Sequence, residues 1–156
     1  MDHSLLFTKL NDVNQIEYDT WNKWGLIPSE RPTLVQPAPV YRYVEIPGRD
    51  GPLDMTDYLI GRPTYSDRKG TFEFYVDTDF KLDNITNDWV AKRNSLVQFF
   101  DGSKMRMRMA DEPNIYYIGR FHLREYRPGA TYSTISIEYE IEPYRYNVSD
   151  GTEAGL

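Results

Sequence analysis

Carboxylates at two-residue spacing are the part of this chain that could do acid–base chemistry. Glu138, Glu140 and Glu142 alternate along one stretch, and Asp50 and Asp54 flank a loop rich in glycine and proline. Glycosidic hydrolysis uses two carboxylates about 5–10 Å apart, and alternate residues of a strand lie about 6.5–7 Å apart. The spacing permits such a pair, but an alternating acidic row is also the usual solvent face of an antiparallel strand. We favour the second interpretation and expect no enzymatic activity.

Other residue types indicate no catalytic, cofactor or metal site. The sequence has 2 histidines, His3 and His122, and His122 stands in a strand-like run where a structural role is expected. It has no cysteine, and therefore no disulfide, thiolate nucleophile or cysteine-ligated metal. Walker, zinc-protease, EF-hand, dinucleotide-binding and G-x-S-x-G motifs are absent from it. We therefore predict no cofactor.

Composition bounds the class of protein. The length of 156 residues fits one domain, and 13 tyrosines favour strands with one wet face or large contact surfaces. The net charge of −6 argues against a protein that holds nucleic acid through its phosphates. No long apolar run or signal peptide is recognisable, so we expect a soluble chain that is made in the cytosol and does not enter a membrane.

Hydrophobic periodicity predicts a mainly β protein, an antiparallel β-sandwich or split barrel with one α-helix over about 83–101. Met alternates with Arg in 104–109, and Ile or Tyr alternates with polar residues in 132–141, which predicts two strands with one buried face. A bulge is expected at Gly119, and a short turn from Asp54 through Leu59. Asp83 or Asn84 is the expected N-cap and Gly102 the expected C′ glycine. The apolar stripe of the helix is Ile85, Trp89, Leu96 and Phe100, widened by Val97 and Phe99, with Lys92, Arg93, Asn94 and Gln98 on the wetter side. Residues 1–148 are predicted to form a single domain and residues 149–156 a frayed tail.

The loop from Tyr43 to Thr56 is the most distinctive sequence in the chain. Gly48 and Gly51 can take positive φ, while Pro47 and Pro52 fix φ and remove amide donors, which predicts a stiff, shaped loop. Its charged pair, Arg49-Asp50, has two interpretations. The two side chains can hydrogen-bond within their own loop, or they can cross to a neighbouring subunit.

This loop, with Trp24-Gly25-Leu26-Ile27, Tyr116-Tyr117-Ile118-Gly119-Arg120 and Ile141-Glu142-Pro143-Tyr144-Arg145-Tyr146, forms an ordered set of motifs. In this order and spacing they resemble the N-terminal domain of the distal tail protein (Dit) family of siphovirus-type bacteriophages. The match extends over most of the chain. Each motif alone is weak, whereas the ordered set is fairly specific.

The resemblance implies a β-sandwich with a helix and a projecting hairpin, or belt, through which six copies close into a ring. In the virion, such a ring joins the tail tube to the tail-tip or baseplate proteins and leaves a channel for DNA. The segment from Pro28 to Gly51 would contribute to the belt. Its candidate subunit-interface residues are Arg42, Tyr43, Glu45, Pro47, Gly48, Arg49, Asp50 and Gly51.

A ring around a channel gives the acidic row a further interpretation. Glu138, Glu140 and Glu142 are candidate lumen-facing residues, because a negative wall lets a polyanion slide past without being held. DNA would then cross the channel without specific binding.

Two other functions stay open at this point. A tail-tube or tube-adaptor subunit has a related β fold, and a small carbohydrate-binding module could use Trp21 and Trp24 if these were exposed. Many Dit proteins continue into a C-terminal domain, whereas this sequence stops soon after Pro143-Tyr144. We therefore expect a minimal member or a fragment, without direct host recognition.

Overall fold

The computed structural model describes residues 3–76, 89–129 and 132–156, and it confirms a mainly β, antiparallel fold. Two helices accompany the strands, α1 (Thr20–Trp24) and α2 (Trp89–Phe99). The strands are β1 (Leu5–Lys9), β2 (Glu17–Asp19), β3 (Leu26–Pro28), β4 (Pro39–Val40), β5 (Tyr43–Val44), β6 (Leu53–Asp54), β7 (Thr64–Tyr65), β8 (Arg68–Val76), β9 (Asp101–Met109), β10 (Ile115–Arg127), β11 (Ser133–Ile141), β12 (Arg145–Asn147) and β13 (Glu153–Gly155).

One large sheet contains nine of the described strands, and it is curved. Its main path runs in the order β2-β1-β9-β10-β11-β8-β3, with β12 and β13 branching from β10. A flat sheet would place β2 and β3 about 29 Å apart, at about 4.8 Å per strand. The chain passes from one to the other through α1 and Gly25 alone, a connection that spans about 15 Å when helical. The sheet must therefore curl until its two edges approach each other.

The enclosed face of this curved sheet holds the core. β9 turns Met105, Met107 and Met109 inward, and β11 alternates in the same way. Aromatic rings fill the centre, with the Phe7 ring 5.1 Å from Phe100 and 4.9 Å from Phe121. Such edge-to-face pairs add packing energy beyond their buried area. The predicted alternation of Met with Arg and of Ile with Glu is confirmed.

Helix α1 closes the gap between the sheet edges. Its N-cap, Asp19, accepts hydrogen bonds from the backbone N–H groups of Trp21 and Asn22 at 2.8 and 3.2 Å. Gly25 ends it in the left-handed region at φ 68°, where glycine avoids the Cβ penalty. The buried Trp24 donates its indole N–H to the Ser95 hydroxyl at 3.0 Å, which ties α1 to α2. Five residues are too few to show a helical period, so the sequence does not predict this helix.

The predicted helix over about 83–101 corresponds in part to α2. Residues 83–88, with both proposed N-caps and Ile85, lie outside the described residues. Leu96 and Phe100 are buried as expected, but Trp89 and Val97 are exposed. Lys92, placed on the wetter side, is buried. Gly102 has a φ of 87° but lies within β9 rather than at a helix terminus. The actual end of α2 leaves Asp101 free to pair with His122 of β10.

Residues 149–156, expected to fray, instead form a turn and strand β13, which pairs with β12. This difference arises because Asp150 accepts hydrogen bonds from the N–H and the hydroxyl of Thr152 at 3.0 and 2.7 Å. That local turn aligns the last residues with β12. The sheet also has irregular registers beside Arg120 and Leu123, rather than a bulge at Gly119.

We predict that Gly119→Ala destabilises the sheet. A Cβ atom there would stand 2.5 Å from the Glu140 carbonyl oxygen and 2.8 Å from the Ile141 Cα. Backbone atoms cannot move aside cheaply, so we expect a loss of about 1–3 kcal/mol in the free energy of unfolding. Urea unfolding followed by circular dichroism measures it. Ser136→Ala, in the adjoining strand, is the control that adds no atom, and equal midpoints for both variants would contradict the packing argument.

Candidate assembly surface

Residues 39–65 form an antiparallel hairpin, called here the arm, that branches from the sheet between β3 and β8. At its base, Pro39 and Val40 of β4 pair with Tyr65 and Thr64 of β7. Further out, β5 and β6 pair through Tyr43 opposite Asp54 and Val44 opposite Leu53. The predicted projecting hairpin is therefore present, and it extends beyond the Pro28–Gly51 segment because its return strands lie after Gly51.

The tip of the arm is shaped by its prolines and glycines. The Arg49 N–H donates to the Ile46 carbonyl at 3.2 Å, which closes a four-residue turn over Pro47 and Gly48. Gly48 has a φ of 80°, as position i+2 of a type II turn requires. Gly51 also has a positive φ, of 75°. The tip therefore has the defined turn geometry expected from its sequence.

A second set of hydrogen bonds braces the arm behind its tip. The Asp54 carboxylate accepts from the Thr56 hydroxyl and from the Thr56 N–H, the latter at 2.9 Å. The Thr56 hydroxyl oxygen in turn accepts from the Arg42 N–H at 3.0 Å, across the hairpin. The hydrogen bonds from Thr56 lower the pKa of the exposed Asp54 carboxyl, the side-chain bond contributing most. The ionised carboxylate thus stabilises this turn.

The root of the arm, defined here as residues 35–40 and 62–68, is held by Arg68, which is buried at the start of β8. Its guanidinium donates to the Pro143 carbonyl at 2.9 and 3.3 Å and to the Val35 carbonyl at 3.3 Å. Burial lowers the pKa of Arg68, and its group also lies 5.7 Å from the centre of the Tyr117 ring. Since a planar guanidinium can donate in several directions at once, one side chain joins the root to the sheet.

Aromatic contacts complete the root. The Tyr144 hydroxyl accepts a hydrogen bond from the Arg62 guanidinium, and the Tyr65 and Tyr144 rings are 6.4 Å apart in an edge-to-face arrangement. Tyr144 directly follows Pro143, which Arg68 contacts. The root therefore rests on the chain between β11 and β12.

Beyond this root, the arm exposes many apolar side chains. Tyr58 is 75% exposed and Leu59 67%, values that leave most of each side chain in water. Isolated exposed apolar residues are common on protein surfaces, but a group of this size is typical of an interaction surface. The large exposed apolar residues of the arm are Val40, Tyr41, Tyr43, Val44, Ile46, Tyr58, Leu59 and Ile60.

The candidate interface residues all lie in the outer half of the arm and are exposed: Arg42, Tyr43, Glu45, Pro47, Gly48, Arg49, Asp50 and Gly51. Neither Arg49 nor Asp50 forms a side-chain hydrogen bond or ion pair with the part of the chain that the structure describes. The interpretation in which they fix their own loop is therefore not realised. Their charged groups remain available to another molecule.

The candidate lumen residues lie on the outer face of the sheet. Glu138 and Glu140 are exposed, and Glu142 is half-buried at the end of β11. Two of them pair with lysines, Glu140 with Lys69 at 3.3 Å and Glu142 with Lys104 at 2.7 Å. The row is thus continuous in geometry but partly neutralised, a feature that the alternation within β11 could not reveal.

Several alternatives find no support in the described residues. Trp24 is 1% exposed, which removes half of the aromatic pair proposed for sugar binding. Within residues 3–76, 89–129 and 132–156 no group of three or more His, Asp or Glu side chains is arranged to hold a metal ion. In the same part of the chain, no helix has the length and apolar character needed to cross a bilayer.

Sequence reasoning missed two parts of this surface. Arg68 was not singled out, because one arginine at the start of a strand is usually solvated. Tyr58-Leu59-Ile60 was treated only as the end of a turn, although three consecutive apolar residues beside Gly61 could have signalled an exposed patch. Both features were missed for the same reason: the burial of Arg68 and the exposure of Tyr58-Leu59-Ile60 depend on how the arm leaves the sheet, which the local sequence does not show.

We predict that acid loosens the arm near Asp54. Its folded pKa lies below the usual value of 3.8, so its stabilising effect is complete above the unfolded pKa and is lost as the pH falls through the folded one. Thr56→Val removes the hydroxyl donor and should raise the Asp54 pKa, whereas Thr56→Ser should preserve it. Carboxyl titration by NMR measures these values, and a wild-type pKa at or above 3.8 would contradict the assignment.

Comparison with known proteins yields a structural likeness. No family model and no curated protein matches the sequence. Among solved structures, the fold is similar to that of SPP1 Dit (gp 19.1), described as a paradigm of the hub adsorption apparatus in phages that infect Gram-positive bacteria. The similarity covers 92% of this chain with a TM-score of 0.58 and 15% sequence identity, and the chain spans about half, 52%, of that protein. The chain therefore shares its fold with one part of SPP1 Dit.

Proposed function

We propose that this chain is a structural protein of a phage tail. Its single domain, which includes β13, assembles as a hexameric ring at the distal end of the tail, within the virion. The ring connects the tail-tube protein to the tail-tip or baseplate proteins and leaves a channel for DNA. The chain performs no catalysis and requires no cofactor in this role.

The exposed arm is the observation that carries this proposal. A two-stranded hairpin is at best marginally stable alone in water. Among the described residues, this arm is anchored to the sheet at its root alone, and it has apolar residues such as Tyr58 and Leu59 in solvent. Covering these groups in an assembly removes apolar area from water, which favours association by about 25 cal/mol per Å2. An arm with this architecture is well suited to contact a second subunit.

The likeness to SPP1 Dit supports the choice of assembly. At 15% identity it concerns the fold, but it extends over 92% of this chain. The resemblance of the sequence motifs and the likeness of the fold are separate observations that favour the same family. When each copy places its arm on the next, the contacts are head-to-tail, and they close into a ring if the rotation between copies closes.

The channel follows from ring closure. The net charge of −6 and the outward Glu138 and Glu140 support a wall that repels phosphate. The pairing of Glu140 with Lys69 reduces this repulsion without reversing it. We propose that this face borders the lumen, and a cryo-EM reconstruction of the ring with Glu138 and Glu140 on its outer rim would overturn that assignment.

We expect the chain to form particles in solution with the mass of six copies. Light scattering coupled to size exclusion, over a concentration series, should show a species of six chains of 18.4 kDa each. Negative-stain images of this species should show a central hole. A chain that stays monomeric at every concentration, both alone and with a tail-tube protein, would contradict the ring.

The second prediction concerns Arg49. Because its guanidinium has no partner within the described residues, Arg49→Ala should leave the melting temperature of the monomer unchanged while it lowers the yield of rings. Arg124→Ala, at an exposed arginine of β10, is the matched control and should change neither quantity. Equal losses in melting temperature and ring yield for Arg49→Ala would count against an interface role.

A further inference from the structure

One edge of β8 has backbone groups without partners among the described residues. Its pairing with β3 ends where the Ser29 N–H donates to the Glu73 carbonyl at 3.0 Å. Alternate residues of a strand direct their N–H and C=O groups to the same side, so Thr71 and Lys69 face the same edge as Glu73. No backbone hydrogen bond described for residues 3–76, 89–129 and 132–156 reaches that side of Thr71 or Lys69.

Space for another strand lies beside this edge. Between Ser29 and Ala38 no described backbone–backbone hydrogen bond joins the chain to β8, although the Val35 carbonyl accepts one from the Arg68 guanidinium, and a groove is lined by residues 29–33 and 71–74. Thr71 and Lys69 are both exposed. Gly70, between them, packs against the Tyr139 ring, and a Cβ atom at this position would clash with the Tyr139 hydroxyl oxygen. In the part of the chain that the structure describes, this edge is therefore exposed and unpaired, a condition that soluble proteins usually avoid.

Within the part of the chain that the structure describes, the arm also has an unpaired edge, and it lies along β5. Arg42 and Val44 direct their backbone groups toward β6, as shown by the hydrogen bond of 2.7 Å from the Met55 N–H to the Arg42 carbonyl. By the same alternation, Tyr43 and Glu45 direct theirs away from the hairpin. Pro39 and Pro47, which lack an N–H, limit the usable edge to the residues between them.

We propose that β5 of one copy adds to the free edge of β8 of a second copy of this chain. Tyr43 lies opposite Thr71, and Glu45 lies opposite Lys69, so that two pairs exchange backbone hydrogen bonds. This inference rests on the proposed ring and specifies its contact. The main chain supplies the attraction, and the two aligned edges set the register.

Charge selects the direction of this pairing. In the antiparallel direction the Glu45 carboxylate faces the Lys69 ammonium, which is 71% exposed and within reach of a second carboxylate. In the parallel direction Glu45 would face Glu73 instead. Opposite charges across neighbouring strands stabilise a sheet and like charges destabilise it. The antiparallel direction also lets the arm leave its own copy and run back along the next.

Disulfide trapping tests the pairing directly, because the chain has no cysteine of its own. Equimolar mixtures of two single-cysteine variants report only contacts between copies. Opposite residues of a hydrogen-bonded antiparallel pair have Cα atoms about 5.5 Å apart, within disulfide range. We expect a mixed disulfide for Tyr43→Cys with Thr71→Cys and for Glu45→Cys with Lys69→Cys.

The control is Glu45→Cys with Glu73→Cys, which the antiparallel register separates by about 13 Å along the edge. A disulfide in this control, with none in Glu45→Cys plus Lys69→Cys, overturns the direction. Light scattering of each mixture separates this inference from the proposed function. Ring-sized particles without a disulfide between positions 43 and 71 overturn the pairing alone, whereas monomers without that disulfide contradict both.

A second pair of variants tests the backbone contribution. Thr71→Pro removes an N–H that faces the open edge and that no described group uses. Proline is tolerated on edge strands, so we expect the loss of ring-sized particles with an unchanged thermal transition. Thr71→Val keeps the N–H and should assemble as the wild type does. Full assembly of Thr71→Pro overturns the pairing.

Discussion

The short connection between the two edges of the sheet is the constraint on which the architecture depends. β2 and β3 belong to opposite ends of the main strand order, and α1 with Gly25 is all that separates them along the chain. A sheet held in this way cannot flatten. Its inner face becomes an enclosed volume that large side chains must fill, and its outer face is left for solvent and neighbours.

The core follows from that enclosure. Phe7, Trp24 and Phe121 come from β1, α1 and β10, and Phe100 directly follows α2. The four rings meet where the curvature is closed by the helices. The hydrogen bond from Trp24 to Ser95 fixes the two helices relative to each other. The arm lies outside this enclosed volume, because residues 39–65 branch from the sheet between β3 and β8 and none of them belongs to the core.

Patterns of period two could be read from the sequence, whereas features set by tertiary contact could not. The alternation in 104–109 and 132–141 predicted β9, β11 and their buried faces correctly. Helix α1 was missed because five residues are too few to show a helical period, although Asp19 and Gly25 are good caps. The burial of Lys92 also escaped, because a lysine is rarely buried in full, and neighbours in sequence do not show where its ammonium is enclosed.

For the candidate surface, too, the sequence predicts local turn geometry but neither exposure nor contacts between strands. The turn geometry of Gly48 and Gly51 follows from residue type, so the tip could be located before the structure was known. The exposure of Tyr58 could not, because the same residue types also fill cores. The lysine partners of Glu140 and Glu142 come from β8 and β9, and only the strand order brings them together.

Because the root of the arm is narrow, the free energy of unfolding of the body and the free energy of association through the arm depend on different residues. Among the described residues, few groups other than Arg68 and Tyr144 couple the arm to the sheet, so substitutions near the tip leave the cooperative unfolding of the body almost unaffected. The same substitutions act in full on whatever the arm contacts. A lineage of such proteins can therefore retain one core while its arm diverges, and two related chains in one cell can avoid mixing through differences in the arm alone.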